Sequence, residues 1–250
     1  MTTNSIYISV VIPCFNEERN IRLGALETVA HFLEKESFRY EVLIVDDGSF
    51  DESRKLIKEF LSDHKHFKLL SNKHQGKAAT VLAGMLEASG SYILFTDLDQ
   101  ATPIHQLSTL LPFFAKGYDI VIGSRDTYRR GAPFLRHAMA MGFILLRNII
   151  LNLGIRDTQC GFKMFRKGVI QTIIPKLRVF HSRASVHGST VTAGFDVELL
   201  YIAKKLGYKI AEVPVEWHYQ ETRRVNPLKD SWDGLRDLLR IRFNSLFGRY

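Results

Sequence analysis

Cysteine is scarce in this chain. Cys14 and Cys160 are the two present among 250 residues, and they lie far apart without metal-type pairing, so neither a disulfide framework nor a zinc knuckle is indicated. A reducing compartment is expected. Low-complexity segments and fixed-period repeats are missing as well, which argues against disorder and solenoids. There is also no long apolar run. The longest apolar region, Met139 to Ile155, is interrupted by Arg147, Asn148 and Asn152 and falls short of the roughly 20 apolar residues that span a bilayer. Met1 to Ser5 is short and polar, and the apolar stretch after it reads as a β-branched strand, so no export signal is expected.

What is present fits one globular domain over residues 1–250, with 46% hydrophobic and 24% charged residues. The formal net charge of +8 favours an anionic partner: nucleic acid, phospholipid or a phosphorylated substrate. The nucleic-acid reading lacks any aromatic-basic interleaving or known motif, so no nucleic-acid partner is expected.

Ile8 to Pro13, Tyr40 to Asp46, Phe67 to Leu70, Tyr92 to Thr96 and Asp119 to Gly123 read as strands. Helical patterns fall between them, at about Asn20 to Glu36, Asp51 to His64, Lys77 to Ser89 and Pro103 to Lys116. The alternation predicts an α/β fold with a mostly parallel sheet covered by helices on both faces. The pattern changes after Gly123: a basic loop, a long apolar helix from about Phe134 to Leu153, and a polar stretch ending in a tight Cys160-Gly161-Phe162 segment. A helix from about Asp196 to Leu206, a strand from about Lys209 to His218 and a basic helix from about Ser231 to Phe247 follow. Residues 1–125 therefore read as a nucleotide-binding half and 126–250 as an acceptor-side half.

In open parallel sheets the ligand lies at the carboxyl ends of the strands. Three such ends carry polar clusters here: Pro13-Cys14-Phe15-Asn16-Glu17, Asp46-Asp47-Gly48-Ser49 and Asp97-Leu98-Asp99-Gln100. Asp97 and Asp99, two apart at a strand end, can both face one hard cation, and nucleotide phosphates can complete its octahedron. An isolated pair of this kind is more often an acidic turn capping a helix, and Asp46 to Ser49 alone is equally compatible with a turn.

Taken together, the three clusters resemble the inverting nucleotide-sugar transferase family with the GT-A fold. Gly76-Lys77, Gly123-Ser124-Arg125, the Ile155 to Lys163 block and Glu212-Val213-Pro214-Val215 follow in order. With these, the chain from about Ile8 to Phe247 resembles the dolichyl-phosphate and polyprenyl-phosphate hexosyltransferases, most specifically the dolichyl-phosphate glucosyltransferase branch. The resemblance implies a Rossmann-like sheet flanked by helices, and inverting transfer of a hexose from UDP-glucose or UDP-N-acetylglucosamine to a polyprenyl or dolichyl phosphate. Mg2+ or Mn2+ is implied as the cofactor. A saccharide or other non-lipid acceptor is the alternative.

By the same resemblance, Pro13, Phe15, Glu17 and Asp47 surround base and ribose, Lys77 lies beside the nucleotide, and Asp97 and Asp99 meet the metal diphosphate. Asp99, Asp157 and Arg125 form the catalytic set, with Asp157 as base or positioning group. Arg125, Arg136, Arg223 and Arg224 are candidates for the acceptor phosphate, beside a basic loop at Arg129 and Arg130. Lys77 also reads as an ordinary solvated lysine, and Asp157 as a turn aspartate. One departure concerns Gln100, which directly follows Asp99, whereas the mannosyl branch spaces a ligating glutamine one residue further on. A third protein ligand for the metal is therefore not identified.

A membrane contact is expected from Trp232, Leu235, Leu238, Leu239, Phe243, Leu246 and Phe247 at helical spacing, with Arg236, Arg240, Arg242 and Arg249 between and after them. The competing reading packs that stripe on the core. A peripheral position on the cytosolic face of a membrane is expected.

Overall fold

The computed structural model describes residues 6–125, 134–180, 194–218 and 227–250, with residues 134–141 and 227–231 as backbone alone. The elements run β1 Ile8–Cys14, α1 Glu18–Arg22, α2 Ala25–Leu33, β2 Tyr40–Asp46, α3 Ser53–Leu61, β3 Phe67–Ser71, α4 Lys77–Glu87, β4 Tyr92–Thr96 and α5 Leu107–Ala115. They continue with β5 Ile120–Ser124, α6 Phe134–Leu151, β6 Phe162–Arg166, α7 Lys167–Ile173, α8 Phe195–Lys205, β7 Ile210–Pro214 and α9 Pro227–Leu246. Among the described residues these strands form a single seven-stranded sheet, ordered β3-β2-β1-β4-β6-β5-β7.

The expected parallel core is present. β1 pairs in parallel with β2 and β4, β2 with β3, and β5 with β7. β2 is buried along its whole length and β1 nearly so, as continuous apolar strands covered on both faces must be. One helix layer closes down on β1 and β2 at Gly84, where an added Cβ would lie 2.5 Å from Val11 Cγ1 and 2.8 Å from Val45 Cγ2.

Two features differ from the sequence reading. The helix expected over Asn20 to Glu36 is two helices, because Gly24 adopts a left-handed φ of 84° and turns the chain between them. The tight segment after Cys160 opens into an additional strand, β6, which runs antiparallel to both β4 and β5. Its direction decides the site. Because β6 begins where β4 ends, with Phe162 opposite Thr96, the residues before it arrive at the same edge as Asp97 and Asp99.

No described helix is long and apolar enough to cross a membrane. Burial pushes the Cys14 thiol up to about 12 and raises that of Cys160 too, so neither is a ready thiolate nucleophile.

Candidate active site

Strand order brings the ends of β2, β1, β4, β6 and β5 side by side at one edge. The loops after β1 and β2 are laced together there. Asn16, at a positive φ of 54°, donates its backbone amide to Ser49 Oγ at 2.9 Å and accepts the Phe50 amide on its side-chain oxygen at 3.0 Å. The Glu17 amide donates to Ser53 Oγ at 2.8 Å, and the Glu17 carboxylate accepts from Asn20 Nδ2 at 2.5 Å. Arg54 grips Asp46 with two donors, which leaves the buried Asp47 to face the next loop.

Asp47 accepts the amides of Gln75 and Gly76, each at 2.9 Å, and lies 2.8 Å from His74 Nδ1. That histidine stacks on Phe15 with ring centroids 4.2 Å apart and an interplanar angle of 11°. Phe15, Asp47 and His74 thus form one aromatic-acidic cluster beside Pro13 and Glu17. His74 belongs to no motif that sequence reasoning could have used.

Lys77 opens α4 directly beyond this cluster, and its ammonium lies 2.6 Å from Asp97 Oδ1. Lys77 is thus paired with a carboxylate while about a third of its side chain stays exposed. Gly161 makes the approach of β6 to Asp97 possible, since a Cβ there would fall 2.0 Å from Asp97 Oδ2. Asp99 Oδ1 accepts the Ala101 amide at 3.0 Å and shapes the turn. Gln100 also serves that turn: at a positive φ of 51° it donates Nε2 to the Asp97 carbonyl at 3.0 Å and accepts the Ile104 amide at 3.1 Å. Both ends of its amide are engaged in the turn.

Asp97 and Asp99 offer oxygen donors suited to Mg2+ or Mn2+, and Asp97 already faces a cationic group in Lys77. Among the described residues no group of three or more His, Cys, Asp or Glu side chains forms a metal cluster.

Arg125 and Asp157, 32 residues apart in sequence, meet in a bidentate ion pair: Nε to Oδ2 at 2.6 Å and Nη2 to Oδ1 at 2.7 Å. The Arg125 amide adds a third bond to Oδ2 at 3.1 Å. Burial pushes the Asp157 carboxyl up, but the hydrogen bonds and charge of Arg125 outweigh it and hold the group at about 2. The pairing with Arg125 favours the ionised form of Asp157. The Arg125 guanidinium also lies 5.6 Å from the centroid of the Trp217 ring, a neighbour the sequence reading did not single out. Of the remaining acceptor candidates, Arg223 and Arg224 lie outside the described residues, as do Arg129, Arg130 and the side chain of Arg136.

Comparison with known proteins agrees with this architecture. Residues 9–174 match the family described as Glycosyl transferase family 2. A dolichyl-phosphate beta-glucosyltransferase of Dictyostelium discoideum is 34% identical over 98% of this chain and 76% of its own length. One of Homo sapiens is 31% identical over 97% and 77%. Among solved structures, glucosyl-3-phosphoglycerate synthase of Mycobacterium tuberculosis, in complex with Mn2+, UDP and glucosyl-3-phosphoglycerate, superposes with a TM-score of 0.68. The likeness covers 95% of this chain and 80% of that one at 18% identity, and therefore concerns the fold.

Proposed function

The chain belongs to glycosyl transferase family 2, and from that premise we propose that it transfers a hexose, with inversion, from a UDP-sugar to a polyprenyl or dolichyl phosphate. The observation that carries this reading is the 34% identity, over nearly the whole chain, to a protein named dolichyl-phosphate beta-glucosyltransferase. Asp97-x-Asp99 and the Arg125–Asp157 pair at neighbouring strand ends support it.

On this reading Phe15 and His74 provide the aromatic surface for the base, while Asp47, Pro13 and Glu17 border base and ribose. Asp97 and Asp99 would hold Mg2+ or Mn2+, which would supply positive charge against that developing on the departing diphosphate. Lys77, paired with Asp97, would offset charge on the diphosphate. A phosphate oxygen of the acceptor forms the new bond to C1 of the sugar as the C1–O bond to UDP breaks, and UDP leaves with the electron pair. A phosphate monoester, with a second pKa near ~6, is largely dianionic at neutral pH and needs no base. Arg125 aligns that phosphate, and Asp157 fixes Arg125.

The donor assignment has a direct expectation. In the presence of Mg2+ or Mn2+, UDP should raise the melting temperature more than GDP does, and a larger shift with GDP would overturn it.

The acceptor is lipid-borne, and α9 offers a surface suited to reaching it. Leu238 and Ile241 are fully buried, whereas Trp232, Leu239, Phe243 and Leu246 are exposed. At 100° per residue these four lie within one narrow stripe opposite the buried pair, with Arg236 and Arg240 on one side and Arg242 on the other. A helix with a core face and a separate outward apolar stripe fits insertion at an anionic interface. We therefore propose a peripheral position on a membrane, with the cytosolic face as the sequence-based expectation. Replacing Trp232 and Phe243 with Ser should lower sedimentation with anionic vesicles by at least about tenfold, since each buried aromatic contributes roughly 1.5–3 kcal/mol. Unchanged vesicle binding would remove α9 as the contact.

A further inference from the structure

The loop of residues 155–158 is held from two sides by a pair of charged side chains. Arg147, on α6, is almost completely buried in a stretch that otherwise reads as apolar. Its Nη1 donates to Thr158 Oγ1 at 2.7 Å, and its Nη2 donates to the carbonyls of Ile155 and Arg156. Glu212, on β7, takes the opposite polarity. Its Oε2 accepts the Arg156 amide at 2.9 Å, and its Oε1 accepts the Asp157 amide at 2.7 Å.

The same Oε1 also accepts the Ser124 hydroxyl at 2.7 Å. Ser124 immediately precedes Arg125, so one oxygen registers the backbones of both members of the Arg125–Asp157 pair. A loop alone could satisfy its amides and carbonyls with water. A buried guanidinium and a carboxylate used instead impose a single loop conformation, because a fork of fixed geometry can meet these acceptors in one arrangement.

We propose that Arg147 and Glu212 are positioning residues for transfer, which lock the 155–158 loop so that Asp157 presents Arg125 to the acceptor phosphate. The inference rests on the reading of Arg125 as the acceptor-phosphate ligand. The hydrogen bonds of both residues described above go to the 155–158 loop and, for Glu212, to Ser124. Their effect passes through Asp157 and must therefore appear in acceptor use and spare donor binding.

The test compares Glu212→Gln, Arg147→Lys and Arg125→Ala, singly and with Glu212→Gln combined with Arg125→Ala. Two readouts are needed: amide hydrogen exchange of the peptide covering residues 155–160 in substrate-free protein, and KM for polyprenyl phosphate beside the Kd for UDP. Glu212→Gln keeps the side-chain volume but turns an amide donor toward backbone N–H groups. It should speed exchange and raise the acceptor KM by about tenfold, with UDP affinity unchanged. Arg147→Lys keeps the charge but loses the fork, and should give an intermediate effect.

The double variant should be no worse in acceptor use than Arg125→Ala alone, because both act along one route. Additive losses, or a fall in UDP affinity matching the rise in acceptor KM, would overturn the inference. If Arg125→Ala impairs transfer and Glu212→Gln does not, the positioning role alone fails. If Arg125→Ala also leaves transfer intact, the acceptor reading itself fails.

Discussion

Asp99→Asn should reduce transfer at saturating donor by about 10³-fold, the equivalent of roughly 4 kcal/mol of lost charge stabilisation in the transition state. Asparagine is the informative replacement because its side-chain oxygen can still accept the Ala101 amide that Asp99 Oδ1 accepts at 3.0 Å. The turn is kept and the charge is lost. Circular dichroism and melting temperature should therefore match wild type, while activity at any Mg2+ or Mn2+ concentration stays near background. Asp99→Ala, which also removes the turn bond, should be equally inactive but less stable by about 1 kcal/mol. Near-wild-type turnover of Asp99→Asn with metal present would remove the carboxylate pair from the mechanism.

The second large effect concerns Arg125. A charge-assisted contact to the acceptor phosphate contributes roughly 1.5–3 kcal/mol, so Arg125→Ala should lower acceptor efficiency by about one to two decades. Donor affinity, read by calorimetry with UDP, should change little. The bidentate geometry adds a consequence for stability. The Arg125 and Asp157 side chains are largely but not fully buried, at 13% and 11% exposure, so removing one partner leaves a poorly compensated charge that costs up to about 3–5 kcal/mol, the range for a fully buried pair.

Arg125→Ala/Asp157→Ala removes both charges and should recover much of the lost stability without recovering transfer. That separates catalysis from folding. In wild type, the Asp157 carboxyl is depressed from 3.8 to about 2, so the pair contributes its full stability above pH 3.8 and loses it as pH falls toward 2. The double variant should lack that part of the acid transition. If the Arg125 variant binds UDP as poorly as it uses acceptor, Arg125 belongs to the donor site.

Much of residues 1–125 was legible because its signals are local. β1, β2 and β4 are short apolar runs that end in Asn16-Glu17, Asp46-Asp47 and Asp97-x-Asp99, and parallel strands must present such ends at one edge. The described part of residues 126–250 depends on long-range pairing. β6 is five residues long and contains the buried Lys163, so its apolar pattern is interrupted, and its antiparallel direction is set by neighbours distant in sequence.

Arg147 illustrates the same limit. In the sequence it looks like a break in an apolar helix, while in the fold its charge is spent on the carbonyls of the 155–158 loop. Glu212 sat in a motif with no role attached, because the amides it accepts lie 55 and 56 residues away. His74 gave no signal, since only the fold stacks it on Phe15. For α9, one helical period contained two apolar faces, and burial separated them: Leu238 and Ile241 pack inward, Trp232 and Phe243 outward.

The most direct measurement of the central claim is the wild-type arm of the Arg125 assay, with radiolabelled UDP-glucose, a short polyprenyl phosphate and Mg2+ or Mn2+ in detergent. The account predicts label in an organic-extractable lipid, dependent on the metal and on the phosphate of the acceptor, with less or none from GDP-sugars. Label appearing in a water-soluble saccharide while the polyprenyl phosphate stays unlabelled would contradict it.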